Sequence, residues 1–392
     1  MSTETNEPTI VPMIDPKLAY EELREATDRA VLDVLRSGQY VLGERVATFE
    51  KEVASYIGTS DAIGVSSGTE ALLLALQALD VGPNDEVVTT SFSFIASATC
   101  IARLGARPVF VDIDPVTYQM DPDALAAAVS PRTRAIIAVH LYGYPAPMTR
   151  YLDIANSQDE PIAVIEDAAQ AIGTVCDVES LRGPRYQKAG SIGLFGCFSF
   201  YPTKNLPACG EAGLLTTSQP YQAERARQLR VHGMDDEYHH VLLSGNGRLD
   251  ALQAAILSVR LAHLDRWNQR RVENASLYDR MLTESGVTNS GVVQLPPAVK
   301  EGEVANYHQY TLRVQDRDKL RARLREKAIM TGVYYPLPLP HQPVFRELGY
   351  RPGDFPEAEK AAAEVISLPC HQHLYAHEIE RIVAAIADFY GQ

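Results

Sequence analysis

Lys204 is the residue of this chain whose surroundings promise the most chemistry. It stands in SIGLFGCFSFYPTKNLPACGEAGLLTT (191–217), between the aromatic and small-residue run Gly193–Tyr201 and the second apolar run Ala212–Thr217. Both runs read as strands, and Pro202 and Pro207 stiffen the loop that joins them. A lysine in an ordinary loop is solvated and inert. One held against apolar strands escapes its desolvation cost by losing its proton or by forming an imine, and either makes it a nucleophile. A second reactive group lies in IAVIEDAAQAIG (162–173), where a buried apolar strand runs straight into Glu166 and Asp167. A carboxylate at that depth needs a cationic partner or a proton. The plainer role for Asp167 is a helix N-cap, with Gln170 three residues on along the same helix face. A third is the junction Val65–Glu70, VSSGTE, which passes from a strand into the helix Glu70–Leu79. Amides at a helix start, a glycine and a hydroxyl suit an anion such as phosphate; the alternative is a simple hydroxyl N-cap. Phe94, in SFSFIASA (91–98), follows another strand end, where it can cover a flat ring or pack into the core.

The elements that must position these groups alternate between strand and helix. Strand candidates are Ala62–Ser66, Glu86–Thr90, Arg107–Asp112, Ala135–His140 and Ile162–Glu166, which implies a mostly parallel sheet covered on both faces. Ahead of them the spacing predicts a disordered stretch over 1–11, an amphipathic helix over Leu18–Ser37 stopped by Gly38, and a second over Val46–Ile57 stopped by Gly58. After Lys204 come a helix (Ala223–Val231), a polar loop (Met234–Gly247) and a long helical run from Arg248 to about Glu284 that carries the chain out of the main sheet. A smaller α/β portion follows: a strand (Tyr310–Val314), a charged helix (Arg317–Ala328), the proline-rich Tyr334–Pro343 and a last helix (His377–Phe389). The expected division is therefore a large domain over 12–247 and a connecting helix with a small C-terminal domain over 248–392.

With 392 residues, 46% hydrophobic and 22% charged, the composition is that of a globular enzyme with ample core. A net charge of −14 argues against a nucleic-acid or anionic-membrane surface. The five cysteines are scattered without CxxC spacing, which points to a reducing cytoplasm rather than to disulfides or zinc. His371 and His373 beside Cys370 lack further ligands at zinc spacing, so no metal is expected. The polar N-terminus carries no apolar signal core, and no run of about 18 apolar residues occurs, so the chain is expected neither to be secreted nor to span a membrane.

Taken in order, SGQYVLGERVATFE (37–50), SSGTEALLLAL (66–76), SFSFIASA (91–98), GARPVFVDID (105–114), VHLYG (139–143), IEDAAQAIG (165–173), GCFSFYPTKNL (196–206), GNGRLDALQAAIL (245–257) and YYPLPLPHQPVF (334–345) resemble the DegT/StrS family of sugar aminotransferases. The likeness spans about residues 12–388, and the pair EDAAQ and FSFYPTKN in this order is its most specific part. The resemblance implies a pyridoxal-phosphate enzyme of fold type I, with a mixed, mostly parallel seven-stranded sheet between helices and a smaller C-terminal α/β domain. It implies that Lys204 is the catalytic Schiff-base lysine and proton carrier, that Asp167 faces the pyridine nitrogen, and that Gln170 bonds the ring hydroxyl. It further implies that Phe94 stacks on the ring, that Gly68, Thr69 and Ser199 bind the phosphate, and that Asn246 reaches the phosphate of the neighbouring subunit, making the active sites a property of a homodimer. Arg248, Tyr335 and His341 are the implied substrate contacts.

Two departures from the family pattern stand out. Gly210-Glu211-Ala212-Gly213 replaces the usual GDGG, with a small backbone adjustment expected; the family histidine after PxPL is replaced by Pro340, with His341 one place later. The implied reaction is ping-pong transfer of an amino group from L-glutamate to a nucleotide-linked keto-hexose, and NGRLD resembles the members that aminate C3. A family 3-dehydratase carries histidine where Lys204 stands, which argues against that activity. A cyclitol aminotransferase and a non-catalytic cofactor-binding regulatory protein are the alternatives.

Overall fold

Twelve strands order the chain of the computed structural model, which describes residues 9–180, 183–235 and 238–391. They are β1 (Asp61–Val65), β2 (Glu86–Thr90), β3 (Arg107–Val111), β4 (Thr133–Val139), β5 (Ala163–Asp167), β6 (Val175–Ser180), β7 (Gly183–Lys188), β8 (Phe195–Ser199), β9 (Gly213–Thr217), β10 (Val293–Gln294), β11 (Tyr310–Val314) and β12 (Val365–Leu368). Seven of them form the main sheet in the order β1-β9-β8-β5-β4-β2-β3. All pairings from β8 through to β3 are parallel, and β9 runs against both of its neighbours. The six strands other than β9 therefore bring their C-terminal ends to one edge, where ligands of open α/β sheets bind. Burial on both faces explains the apolar runs in place of alternation: β2 and β9 are buried throughout.

The helices are α1 (Pro16–Glu22), α2 (Arg24–Ser37), α3 (Gly43–Ile57), α4 (Gly68–Ala78), α5 (Ala96–Arg103), α6 (Pro122–Ala128), α7 (Met148–Asn156), α8 (Pro220–Leu229), α9 (Ala251–Leu261), α10 (Leu264–Glu284), α11 (Arg317–Glu326), α12 (Pro356–Glu364) and α13 (Ala376–Tyr390). Helix α4 is apolar nearly all round because it packs against β8 and β9 on one side and α5 and α8 on the other. The three-stranded sheet β10-β11-β12 is antiparallel and gathers its own core from α10, α11 and α13, with Tyr278 stacked on Tyr310 at 4.7 Å. Among the described residues no helix is long and apolar enough to cross a membrane, and no group of three His, Cys, Asp or Glu is placed to hold a metal.

Several local expectations are revised. The helix expected over Leu18–Ser37 breaks at Leu23, whose φ of −120° leaves the helical region. The break turns Glu22 onto α10, where Trp267 Nε1 donates to it at 3.2 Å, while Val34 packs with α3 and α9. The run expected from Arg248 is two helices, because its parts pack on different partners: α9 buries Ala254 and Leu257 with α2 and α3, and α10 buries Tyr278 and Leu282 against the small sheet. The departure from the main body thus starts at α10. Of the stretch expected to be disordered, residues 1–8 lie outside the described residues. Val11 is buried and paired instead: its N–H donates to Ala328 O at 2.9 Å, and Met330 N donates to its carbonyl at 3.0 Å. The antiparallel hairpin β6–β7 was not expected from the sequence.

Candidate active site

A cavity of about 490 Å³ opens at the strand C-termini, and loops leaving β1, β2, β5 and β8 furnish most of its wall. At one end lies the start of α4. Ser67 Oγ caps Glu70 N at 3.1 Å, and the first helical bond runs from Ala71 N to Ser67 O, so the N–H groups of Gly68 and Thr69 lie ahead of the helical ladder and face the cavity beside Ser199. Unpaired amides and the positive end of α4 make this an anion cradle. Gly68 is required by packing: a Cβ there would lie 2.7 Å from Ser199 Cβ and 3.3 Å from the Phe198 carbonyl.

At the other end β5 sorts its two carboxylates by strand alternation. Glu166 points inward and is spent on structure, accepting from Gly190 N at 2.8 Å, from Ile192 N and Gly193 N at 2.7 Å, and pairing with His140 Nε2 at 3.0 Å. His140 Nδ1 accepts from Ala146 N at 3.0 Å, which puts the imidazole proton on Nε2. Asp167 points into the cavity and is only 6% exposed. Ser97 Oγ donates to its Oδ2 at 2.7 Å and Ala169 N to its Oδ1 at 3.2 Å. Burial raises its proton affinity; these two bonds, and the charge of Lys204, pull against that rise. The chain beyond Asp167 forms successive turns rather than a helix, so the expected helix face shared with Gln170 does not exist. Gln170 reaches the cavity regardless. Its Oε1 accepts from Tyr142 N at 2.7 Å and its Nε2 donates to the Tyr335 hydroxyl at 3.1 Å.

Lys204 lies between these ends, its loop tightened by its own N–H donating to Tyr201 O at 2.8 Å. Burial lowers its pKa from 10.5 to about 8, against the opposing attraction of Asp167. Such an amine is unprotonated in useful amounts near neutral pH. Phe94 is 54% exposed and leans over the opening, its ring 6.2 Å from that of Tyr335.

The cavity thus brings together Gly68, Thr69, Phe94, Asp167, Gln170, Ser199, Lys204 and Tyr335. His341 is not among its lining. Its Nε2 is 2.9 Å from Glu359 Oε1 and its ring packs on Phe355, so the expected substrate contact is withdrawn: the side chain holds α12 instead. Asn246 and Arg248 sit on a strap across β1, where Ser66 N donates to Gly247 O at 2.9 Å; Asn246 is exposed, and neither lines the cavity. Glu211, read from the sequence as a backbone adjustment, is part of the cavity wall. Sequence reasoning missed Ser97, Asn205 and His308. The only available signal was position, one residue after the lysine for Asn205 and within the unpatterned NYHQY (306–310) for His308.

The description of the DegT/DnrJ/EryC1/StrS aminotransferase family matches residues 21–387. A pleiotropic regulatory protein of Geobacillus stearothermophilus is 46% identical over 380 residues, covering 97% of this chain and 98% of that protein. A dTDP-3-amino-3,4,6-trideoxy-alpha-D-glucose transaminase of Streptomyces venezuelae is 40% identical over 389 residues, covering 99% and 98%. The crystal structure of S. venezuelae DesV in complex with ketimine intermediate superposes with a TM-score of 0.90 at 39% identity, covering 98% of this chain and 99% of that one.

Proposed function

The chain belongs to the DegT/DnrJ/EryC1/StrS aminotransferase family, and from that premise we propose that it transfers the amino group of L-glutamate to a nucleotide-linked 3-keto-hexose by a ping-pong reaction. It is an aminotransferase of fold type I acting on sugars, and pyridoxal phosphate is its cofactor. The cavity fits that group at both ends. Open amides and hydroxyls suit a phosphate, and a buried carboxylate short of a cation suits a protonated ring nitrogen.

When bound, the cofactor supplies a conjugated ring that accepts the electron pair left when an amino-acid Cα loses its proton. The chain's own residues supply the rest. Asp167 holds the proton on the ring nitrogen, and Ser97 fixes the carboxylate that does so. Lys204 Nζ would hold the cofactor as its nucleophile and, as general base, take and carry the Cα proton. Gly68, Thr69 and Ser199 would bind the phosphate, Gln170 would bond the ring hydroxyl, and Phe94 would cover the ring. Asn246 reaches the phosphate held by the other subunit of a homodimer, and Arg248 and Tyr335 contact the sugar. The placement of Lys204 and the buried Asp167 in one cavity with the open start of α4 carries this reading.

The name borne by the Geobacillus relative favours a second reading, a cofactor-binding regulator. The two part on turnover. In a panel of nucleotide-linked 3-keto and 4-keto hexoses, free keto-sugars and a keto-inositol, each offered with L-glutamate, the proposal expects an amine product from the nucleotide-linked 3-keto sugar. Product from the keto-inositol alone would make the chain a cyclitol aminotransferase, and no product from any acceptor would favour the regulator.

A further inference from the structure

The loop that carries Lys204 is tied down by main-chain groups ahead of the amine and again from Pro207 onward. Lys204 N closes a turn onto Tyr201 O at 2.8 Å; Arg260 Nη1 donates to Pro207 O at 2.7 Å, and Ala208 N donates to Phe200 O at 2.6 Å. Between these points, among the described residues, the backbone of Asn205 and Leu206 makes no hydrogen bond. Leu206 packs into the core, and the polar anchor of this stretch is the side chain of Asn205.

Asn205 is 3% exposed, and every valence of its carboxamide is filled. Its Nδ2 donates both protons, to Asn268 Oδ1 at 2.8 Å and to the Asn306 carbonyl at 3.2 Å. Its Oδ1 is then the end that lies 3.1 Å from His308 Nδ1 and accepts the proton of that nitrogen. The partners are fixed in turn. Asn268, on α10, donates through Nδ2 to the Ile172 carbonyl at 3.0 Å, so its Oδ1 is the atom turned to Asn205. Asn306 donates through Nδ2 to the same Ile172 carbonyl at 3.0 Å and accepts from His308 N at 3.0 Å. Buried carboxamides satisfied in this way hold one arrangement, because any rotation strands a polar atom away from water.

The clamp joins three parts of the chain: α10, the segment entering β11, and, through Ile172 O, the turns that follow Asp167. It therefore grips the residue next to Lys204 and sets it in register with the segment that carries Asp167. These are the two groups that must address one bound ring from fixed directions.

We propose that Asn205 is a positioning residue whose side-chain clamp fixes the point at which Lys204 leaves the backbone, and so aims its amine relative to Asp167. Aim of this kind carries rate, since a displacement of about 1 Å at a reacting group costs up to about 100-fold. The role rests on the reading of Lys204 given above.

In the full chain loaded with pyridoxal phosphate, Asn205→Ser should slow the chemical step of the glutamate half-reaction about 10- to 100-fold and move KM for glutamate less than about threefold, at a temperature where circular dichroism shows the fold intact. In the chain without cofactor, the pH at which Lys204 becomes reactive to an acylating reagent should stay within about half a unit of wild type, because the burial and the Asp167 charge that set it are retained. Asn268→Leu removes the acceptor on α10 without touching the lysine loop, and should slow the same step about three- to tenfold. The double variant should be no slower than Asn205→Ser alone, because both changes cut one clamp. Three results overturn the inference: an unchanged half-reaction in Asn205→Ser, slowing factors that multiply in the double variant as two separate defects do, or a Lys204 inflection displaced by more than half a unit, the mark of a loop that has left the cavity. Continued 2-oxoglutarate formation by Lys204→Ala would instead overturn the reading of Lys204 on which it rests.

Discussion

The pH at which Lys204 becomes reactive is a direct consequence of where the fold puts it. Burial lowers its pKa from 10.5 to about 8. At pH 7 an ordinary lysine is unprotonated roughly once in 3,000 molecules and Lys204 roughly once in ten, so its free-amine fraction is about 300-fold higher. In the chain without cofactor, limited acylation followed by peptide mass spectrometry should therefore give a Lys204 rate that rises about tenfold per pH unit and levels off near pH 8. The rate at a free lysine derivative acylated in the same samples should keep rising past pH 9. The sign is that of desolvation: the cavity disfavours the cation, so the amine sheds its proton at lower pH than in the unfolded chain, where urea should return the inflection toward 10.5. A Lys204 profile that tracks the free lysine derivative through pH 10 would refute the desolvated cavity and with it the source of the nucleophile.

Other consequences can be read separately. Asp167→Asn removes the attraction that raises the pKa of Lys204, so the acylation inflection should move below 8, and amino transfer should fall by about 10²–10⁴. Ser97→Ala removes the donor to Asp167 Oδ2, which raises the carboxyl's proton affinity, so the acid limb of the pH–rate profile should move to higher pH while the folded state persists by circular dichroism. Gly68→Ala forces a methyl within 2.7 Å of Ser199 Cβ; it should cost about 1–3 kcal/mol in thermal stability and loosen inorganic phosphate binding measured by calorimetry.

Much of this site was legible because its parts sit at element boundaries, where sequence punctuation is strong. SSGTE marked a strand meeting a helix start, and IAVIED marked a buried strand ending in carboxylates; both fell within a residue or two of β1–α4 and β5. Which carboxylate faces the cavity was not legible from Glu166-Asp167 alone. It depends on the register of β5 against β8, where Asp167 pairs with Cys197. The helix breaks at Leu23 and at Ala262–His263 carry no proline or glycine, since they follow from a change of packing partner far away in sequence. His341 shows the same limit in reverse: a motif position one place from the family pattern is redirected by Glu359, a residue eighteen positions on that no local pattern connects to it. The clamp on His308 joins residues 172, 205, 268 and 306, and only the folded chain brings them together.

Amino-group transfer through Lys204 in this cavity can be read from one turnover. The chain loaded with pyridoxal phosphate is mixed with L-glutamate and no acceptor, and 2-oxoglutarate is counted against active sites, beside Lys204→Ala treated alike. Close to one 2-oxoglutarate per site is expected in the wild type and none from Lys204→Ala on the same time scale. Equal yields from the two proteins, or none from the wild type with the cofactor bound, would contradict it.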